Sequence, residues 1–172
     1  MVVHVVRRVL GFALAFAGSI LPQATFAEDR PDVTALLAPV KAWAAAFSRH
    51  QLQFPSNAFT DDCIVIDNFP PFLWSTPNNG VRQWYANAEG AQSTEKRQAV
   101  IDSKETIEIG APTVIVFKES RAYMTFSAKW QGYSRSGRHF FQTAVFTVVE
   151  RQTDAGWRIE AHSWGELATL PE

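Results

Sequence analysis

Ala58-Phe59-Thr60-Asp61-Asp62-Cys63-Ile64-Val65-Ile66-Asp67 is the stretch whose reading decides the fold. Its apolar centre, Cys63 to Ile66, has the composition of a buried strand. Asp67 closes that run and opens straight into Asn68-Phe69-Pro70-Pro71-Phe72-Leu73-Trp74. A carboxylate at the mouth of an apolar, aromatic surround loses hydration, which raises its pKa and makes it a candidate proton-transfer group. The competing reading is that Asp67 caps a turn before the prolines.

Upstream of this strand, Val33, Leu36, Leu37, Val40, Trp43, Ala44 and Phe47 recur at helical spacing from Asp32 onward. Pro39 falls inside the pattern, so the helix is expected to restart or kink there. An apolar turn over residues 54–59 leads into the strand. Downstream, Asn78-Asn79-Gly80 reads as the cap of a second helix carrying Val81, Trp84, Tyr85 and Ala88. After Arg97 the period changes to two. Strands are expected near 97–109, 112–118, 121–133, 138–150 and 156–166, with turn signals at Gly110-Ala111-Pro112, Glu119-Ser120, 134–137 and Asp154-Ala155-Gly156. Helices first and consecutive antiparallel strands afterwards predict an α+β domain, its helices packed on one face of a strongly curved sheet. Such an arrangement encloses a conical cavity of the kind that binds small molecules.

The ends and the composition bound the function. Arg7-Arg8, an apolar stretch from Val9 to Leu21, and Thr25-Phe26-Ala27 form a secretory signal, too short for a spanning helix. Cleavage near Ala27 leaves residues 28–172 as a single domain destined for the periplasm or beyond. Val9-Leu10-Gly11 fits a twin-arginine signal poorly, and no later stretch is long and apolar enough to cross a membrane. Beyond the signal, 17 acidic residues outnumber 14 basic ones, with no basic stripe, which argues against nucleic acid as a partner. The lone Cys63 cannot form an internal disulfide and reads as a small core hydrophobe. Six tryptophans and thirteen phenylalanines supply the core and suggest an aromatic-lined pocket.

The 58–67 stretch, the irregular loop after it and Gly80-Val81-Arg82-Gln83-Trp84-Tyr85 resemble the nuclear transport factor 2-like superfamily. That group includes ketosteroid isomerases, SnoaL-like polyketide cyclases and scytalone dehydratase. The ending Gly156-Trp157-Arg158-Ile159-Glu160-Ala161-His162-Ser163-Trp164 is similar to its last strand, and the resemblance covers roughly residues 32 to 168. It implies a cone-shaped fold. Residue by residue, Asp67 falls where ketosteroid isomerase carries its general base. Trp43 stands where that enzyme has an oxyanion-hole tyrosine, and Ala144 where it has a neutral carboxylic acid. An indole is not an acid and alanine donates nothing, so steroid isomerisation is not expected.

The resemblance also assigns Arg158, Glu160, His162 and Trp164 to the cavity side of the last strand, along with Phe126, Trp130 and Gln142. The other reading of this polar row is an ordinary solvent face. If His162 stands beside Asp67, it is an acid–base partner titrating near working pH. Trp43, Phe47, Trp84, Trp130 and Trp164 would line the pocket with Glu160 and Gln142. His139 and His50 are weaker candidates, the latter near a helix end. The histidine spacing fits no metal, and no metal or other cofactor is expected. Three functions remain open: a binding module for a hydrophobic small molecule, a lyase or isomerase using Asp67 and His162, or a homodimeric assembly module pairing through an outer sheet face with Tyr123, Phe141 and Val145.

Overall fold

The computed structural model describes residues 32–75 and 80–171. The expected signal segment and the capping residues Asn78 and Asn79 lie outside them. Helix α1 (Val33–Ser48) begins at Asp32, whose side chain accepts a hydrogen bond from the Thr34 amide at 2.9 Å. It runs without interruption through Pro39, whose ring is buried with Leu36, Val40, Trp43 and Phe47. Burial of that apolar stripe offsets the backbone hydrogen bond that proline removes.

Strand β1 (Phe59–Ile66) follows, then the short β2 (Leu73–Trp74), helix α2 (Gly80–Ala88) and helix α3 (Thr94–Ser103). Four long strands complete the chain: β3 (Thr106–Lys118), β4 (Arg121–Tyr133), β5 (His139–Thr153) and β6 (Gly156–Pro171). They form one open six-stranded sheet in the order β2-β1-β6-β5-β4-β3. Only the β1–β6 pair is parallel. Along β5 burial alternates strictly, with Gln142, Ala144, Phe146, Val148 and Glu150 facing the helices. Trp43 of α1 stacks on Phe146 with ring centroids 4.6 Å apart, and that contact ties helix layer to sheet.

Three sequence expectations need correction. The stretch read as a strand from residue 97 is helical over Thr94–Ser103, and β3 begins only at Thr106. Ser93 caps this helix by accepting from the Lys96 amide at 3.1 Å, and Lys96-Arg97-Gln98-Ala99 are good helix formers. No residue of α3 is fully buried, so no apolar stripe announces it. Second, Gly110-Ala111-Pro112 is an irregularity inside β3, where pairing with β4 shifts register. Third, Cys63 to Ile66 is not uniformly buried: Cys63 and Val65 are inaccessible while Ile64 and Ile66 lie on the exposed face.

A bulge in β6 matters most for function. Ile159 pairs with Glu150, but Ala161 pairs with Val149, so Glu160 is an extra residue in the ladder. One added residue reverses the facing of everything beyond it. Trp157 and Ile159 are buried before the bulge, and His162 is buried after it. The row Arg158-Glu160-His162-Trp164 is therefore split between the two faces of the sheet.

On the outer face, Tyr123 and Val145 are exposed, and the Lys129 ammonium lies 5.0 Å from the Phe141 ring. At the opposite edge of the helix layer, Arg97 bonds the buried Glu89 carboxylate at 2.9 Å and also reaches the His50 carbonyl, which pins the ends of α1 and α2 to α3. Burial and the nearby Arg97 lower the pKa of His50. No helix among the described residues is long and apolar enough to cross a membrane.

Candidate functional site

Between the helices and the inner face of the sheet lies a cavity of about 290 Å³. Four tryptophans reach it from four different elements: Trp43 from α1, Trp84 from α2, Trp130 from β4 and Trp164 from β6. Phe47, Phe69 and Phe146 add further rings. The polar groups facing this aromatic surround include Asp67, Glu105, Gln142 and His162.

Asp67 stands immediately after β1, where Asn68 turns the chain away from the sheet. Its Oδ2 accepts a hydrogen bond from the Trp84 indole at 2.7 Å, and its Oδ1 accepts one from the Asn68 amide at 2.7 Å. Burial raises its pKa above the ordinary carboxylate value, and the two hydrogen bonds only partly counter that shift. Both readings of Asp67 thus describe real contacts. One oxygen holds the turn, while the other is fixed by an indole at the cavity wall.

His162 enters the cavity from β6, and only 4 % of its surface is accessible. Trp84 meets it edge-on at 4.7 Å, and Phe146, Phe59 and Trp43 surround it at 5.5, 5.7 and 5.9 Å. This apolar cage lowers its pKa to about 3, so the imidazole is neutral rather than titrating near working pH. Neither ring nitrogen has a hydrogen-bond partner, and the Trp43 indole N–H is likewise buried without one. Buried polar atoms are normally satisfied, so three unpartnered nitrogens on residues that line one cavity are unusual. Trp84, touching both Asp67 and His162, sits between them.

A second carboxylate, Glu105, occupies the connection between α3 and β3. Its Oε2 accepts from the Trp130 indole at 3.2 Å, and burial raises its pKa as well. The Trp164 indole donates to Gln142 Oε1. Among the described residues, no cluster of three or more His, Cys, Asp or Glu side chains is placed to hold a metal.

Of the residues singled out from the sequence, Trp43, Phe47, Asp67, Trp84, Trp130, Gln142, His162 and Trp164 line the cavity. Phe126 and Glu160 do not. Phe126 pairs with Phe146 across the β4–β5 ladder and is fully buried in the core. Glu160, turned outward by the bulge, forms a two-pronged ion pair with Arg121 at 3.0 and 3.1 Å. Arg158 points away too, and its guanidinium bonds the Trp157 carbonyl. Ala144 is buried between the cavity residues Gln142 and Phe146 on β5. Sequence reasoning missed Phe146, Glu105, Phe69 and Asn87. Phe146 lies four residues beyond Gln142 on one strand, so alternation alone could have found it. Glu105 sat inside the misread strand and carried no usable signal.

Comparison with known proteins gives the fold a family. The sequence matches the SnoaL-like domain family over residues 36–164. A nuclear transport factor 2-like superfamily protein from Salmonella enterica serovar Typhimurium superposes with a TM-score of 0.60 at 16% identity, covering 78% of this chain and 90% of that one. A hexachlorocyclohexane dehydrochlorinase from Novosphingobium barchaimii superposes at 0.63 and 10% identity, covering 81% and 89%. A protein with a cystatin-like fold from Novosphingobium aromaticivorans gives 0.62 at 14% identity, covering 79% and 82%. No curated protein matches the sequence. At these identities the solved neighbours speak for the fold alone, and the family match over most of the chain carries the assignment: this protein belongs to the SnoaL-like domain family.

Proposed function

We propose that the chain binds a small, ring-sized, largely apolar molecule in this cavity. The observation that carries the reading is the meeting of Asp67, His162 and Gln142 in one space walled by four indoles. Apolar walls supply the binding free energy, and a few polar groups fix orientation. The orphaned Trp43 N–H and His162 nitrogens would offer a ligand one donor and a donor–acceptor ring after a small side-chain shift, since all three atoms are covered as the cavity stands. A cavity of this size has room for a body of one or two rings.

A second reading is favoured by the placement of Asp67. A desolvated carboxylate held by an indole at the wall of a binding cavity is equipped to take a proton from carbon, as a lyase or isomerase requires. In that reading neutral His162 orients the substrate or offers it a hydrogen bond. A solved neighbour of the same fold is named as a hexachlorocyclohexane dehydrochlorinase, so the fold itself is compatible with this class of chemistry.

Acetophenone, an aromatic ketone with exchangeable methyl protons, tests both. Calorimetry is expected to show one-to-one binding with a negative heat-capacity change. In deuterated water, NMR is expected to show methyl exchange that Asp67→Asn slows by about 100-fold or more while binding persists. Undiminished exchange in Asp67→Asn would remove the base assignment. Failure of acetophenone and other monocyclic aromatics to bind would remove the cavity reading.

A further inference from the structure

Among the described residues the cavity holds two carboxylates and no countercharge. Asp67 and Glu105 each accept one indole N–H, from Trp84 at 2.7 Å and Trp130 at 3.2 Å. Asp67 also accepts from the Asn68 amide at 2.7 Å, and Ser103 hydrogen-bonds Glu105, yet two neutral donors leave about half of the four lone-pair sites of a carboxylate unused and bring no positive charge. No ion pair joins either group to a basic side chain among the described residues, and no Lys or Arg is among the described lining residues. The same space is lined by aromatic rings, whose faces carry negative electrostatic potential. His162, almost wholly buried and with both nitrogens unpartnered, adds a neutral ring able to accept a hydrogen bond.

Each ligand class meets this wall differently. An anion would be repelled by both carboxylates in surroundings that screen poorly. A neutral hydrocarbon would gain the aromatic contact yet leave both acids without a countercharge. A cation would gain from the carboxylates and from the indole faces together. We propose that the ligand of this cavity is a small organic cation, an ammonium group on a ring-sized body. This rests on the reading that the cavity binds a ligand at all, and it names the class.

The test compares phenyltrimethylammonium with tert-butylbenzene, two molecules of the same shape that differ in charge. In calorimetric titrations of the full chain at low salt, the cation is expected to bind about tenfold tighter or better. Glu105→Gln is expected to narrow that preference severalfold while tert-butylbenzene still binds, which shows that the cavity is intact. Equal or tighter binding of tert-butylbenzene to the unaltered protein overturns the cation and leaves the cavity reading standing. Binding of neither compound overturns both. An unaltered preference in a Glu105→Gln protein that still binds tert-butylbenzene overturns the part given to Glu105. The central comparison needs no variant.

Discussion

Asp67 and Glu105 are held alike, by one indole N–H each, but a third acid has no such help. Glu150 of β5 is fully buried on the helix-facing side of the sheet, and neither of its carboxylate oxygens has a hydrogen-bond partner. Burial pushes its pKa up to about 8, although Arg158 opposes the shift. Glu89 is moved in the same direction, to about 7, by its own burial against the opposing pull of Arg97. The folded protein therefore keeps protons on both groups over a pH range in which the unfolded chain, with ordinary glutamates, has lost them. Stability is fullest below the unfolded value near 4.5 and falls as pH rises through about 7 to 8. Urea denaturation is expected to show a loss of a few kcal/mol between pH 5 and 8.5, and Glu150→Gln should remove a substantial part of that slope. An unchanged slope in the variant would mean that Glu150 ionises freely in the folded state.

The elements show where sequence patterns carry information and where they do not. Helix α1 was legible because its buried stripe recurs at helical spacing, and the long strands because alternation persists for a dozen residues. Helix α3 was not, since it buries no side chain fully and its identity rests on a cap. Ser93→Ala is accordingly expected to cost about 1 kcal/mol in urea denaturation and to speed amide exchange across Thr94–Ser103. The consequence reaches the cavity, because Val100 of this helix lines it and Glu105 follows two residues beyond its end. The bulge at Glu160 was equally silent, because an inserted residue leaves the local composition of β6 unaltered. Only pairing with β5 shows that Glu160 belongs to the surface and His162 to the interior.

For the molecule as a whole, the sequence reading recovered helices on a mostly antiparallel sheet and brought Asp67 and His162 to one cavity, while Glu105 escaped it. Whole-fold opening can be followed at one atom. Cys63 is inaccessible in β1, between β2 and β6, and burial raises its thiol pKa strongly. A thiol that is both hidden and protonated reacts only when the sheet opens. Modification by an aromatic disulfide reagent is expected to be at least about a thousandfold slower in native protein than in denaturant. Rapid native labelling would show that the edge beside β1 opens locally. The same architecture gives the cavity a voice of its own. Of the six tryptophans in the chain, Trp43, Trp84, Trp130 and Trp164 line one space, while Trp74 and Trp157 stand elsewhere in the core. Four of the six indoles thus stand at the cavity wall, and the arrival of a ligand there is expected to change the colour and intensity of the protein's own fluorescence.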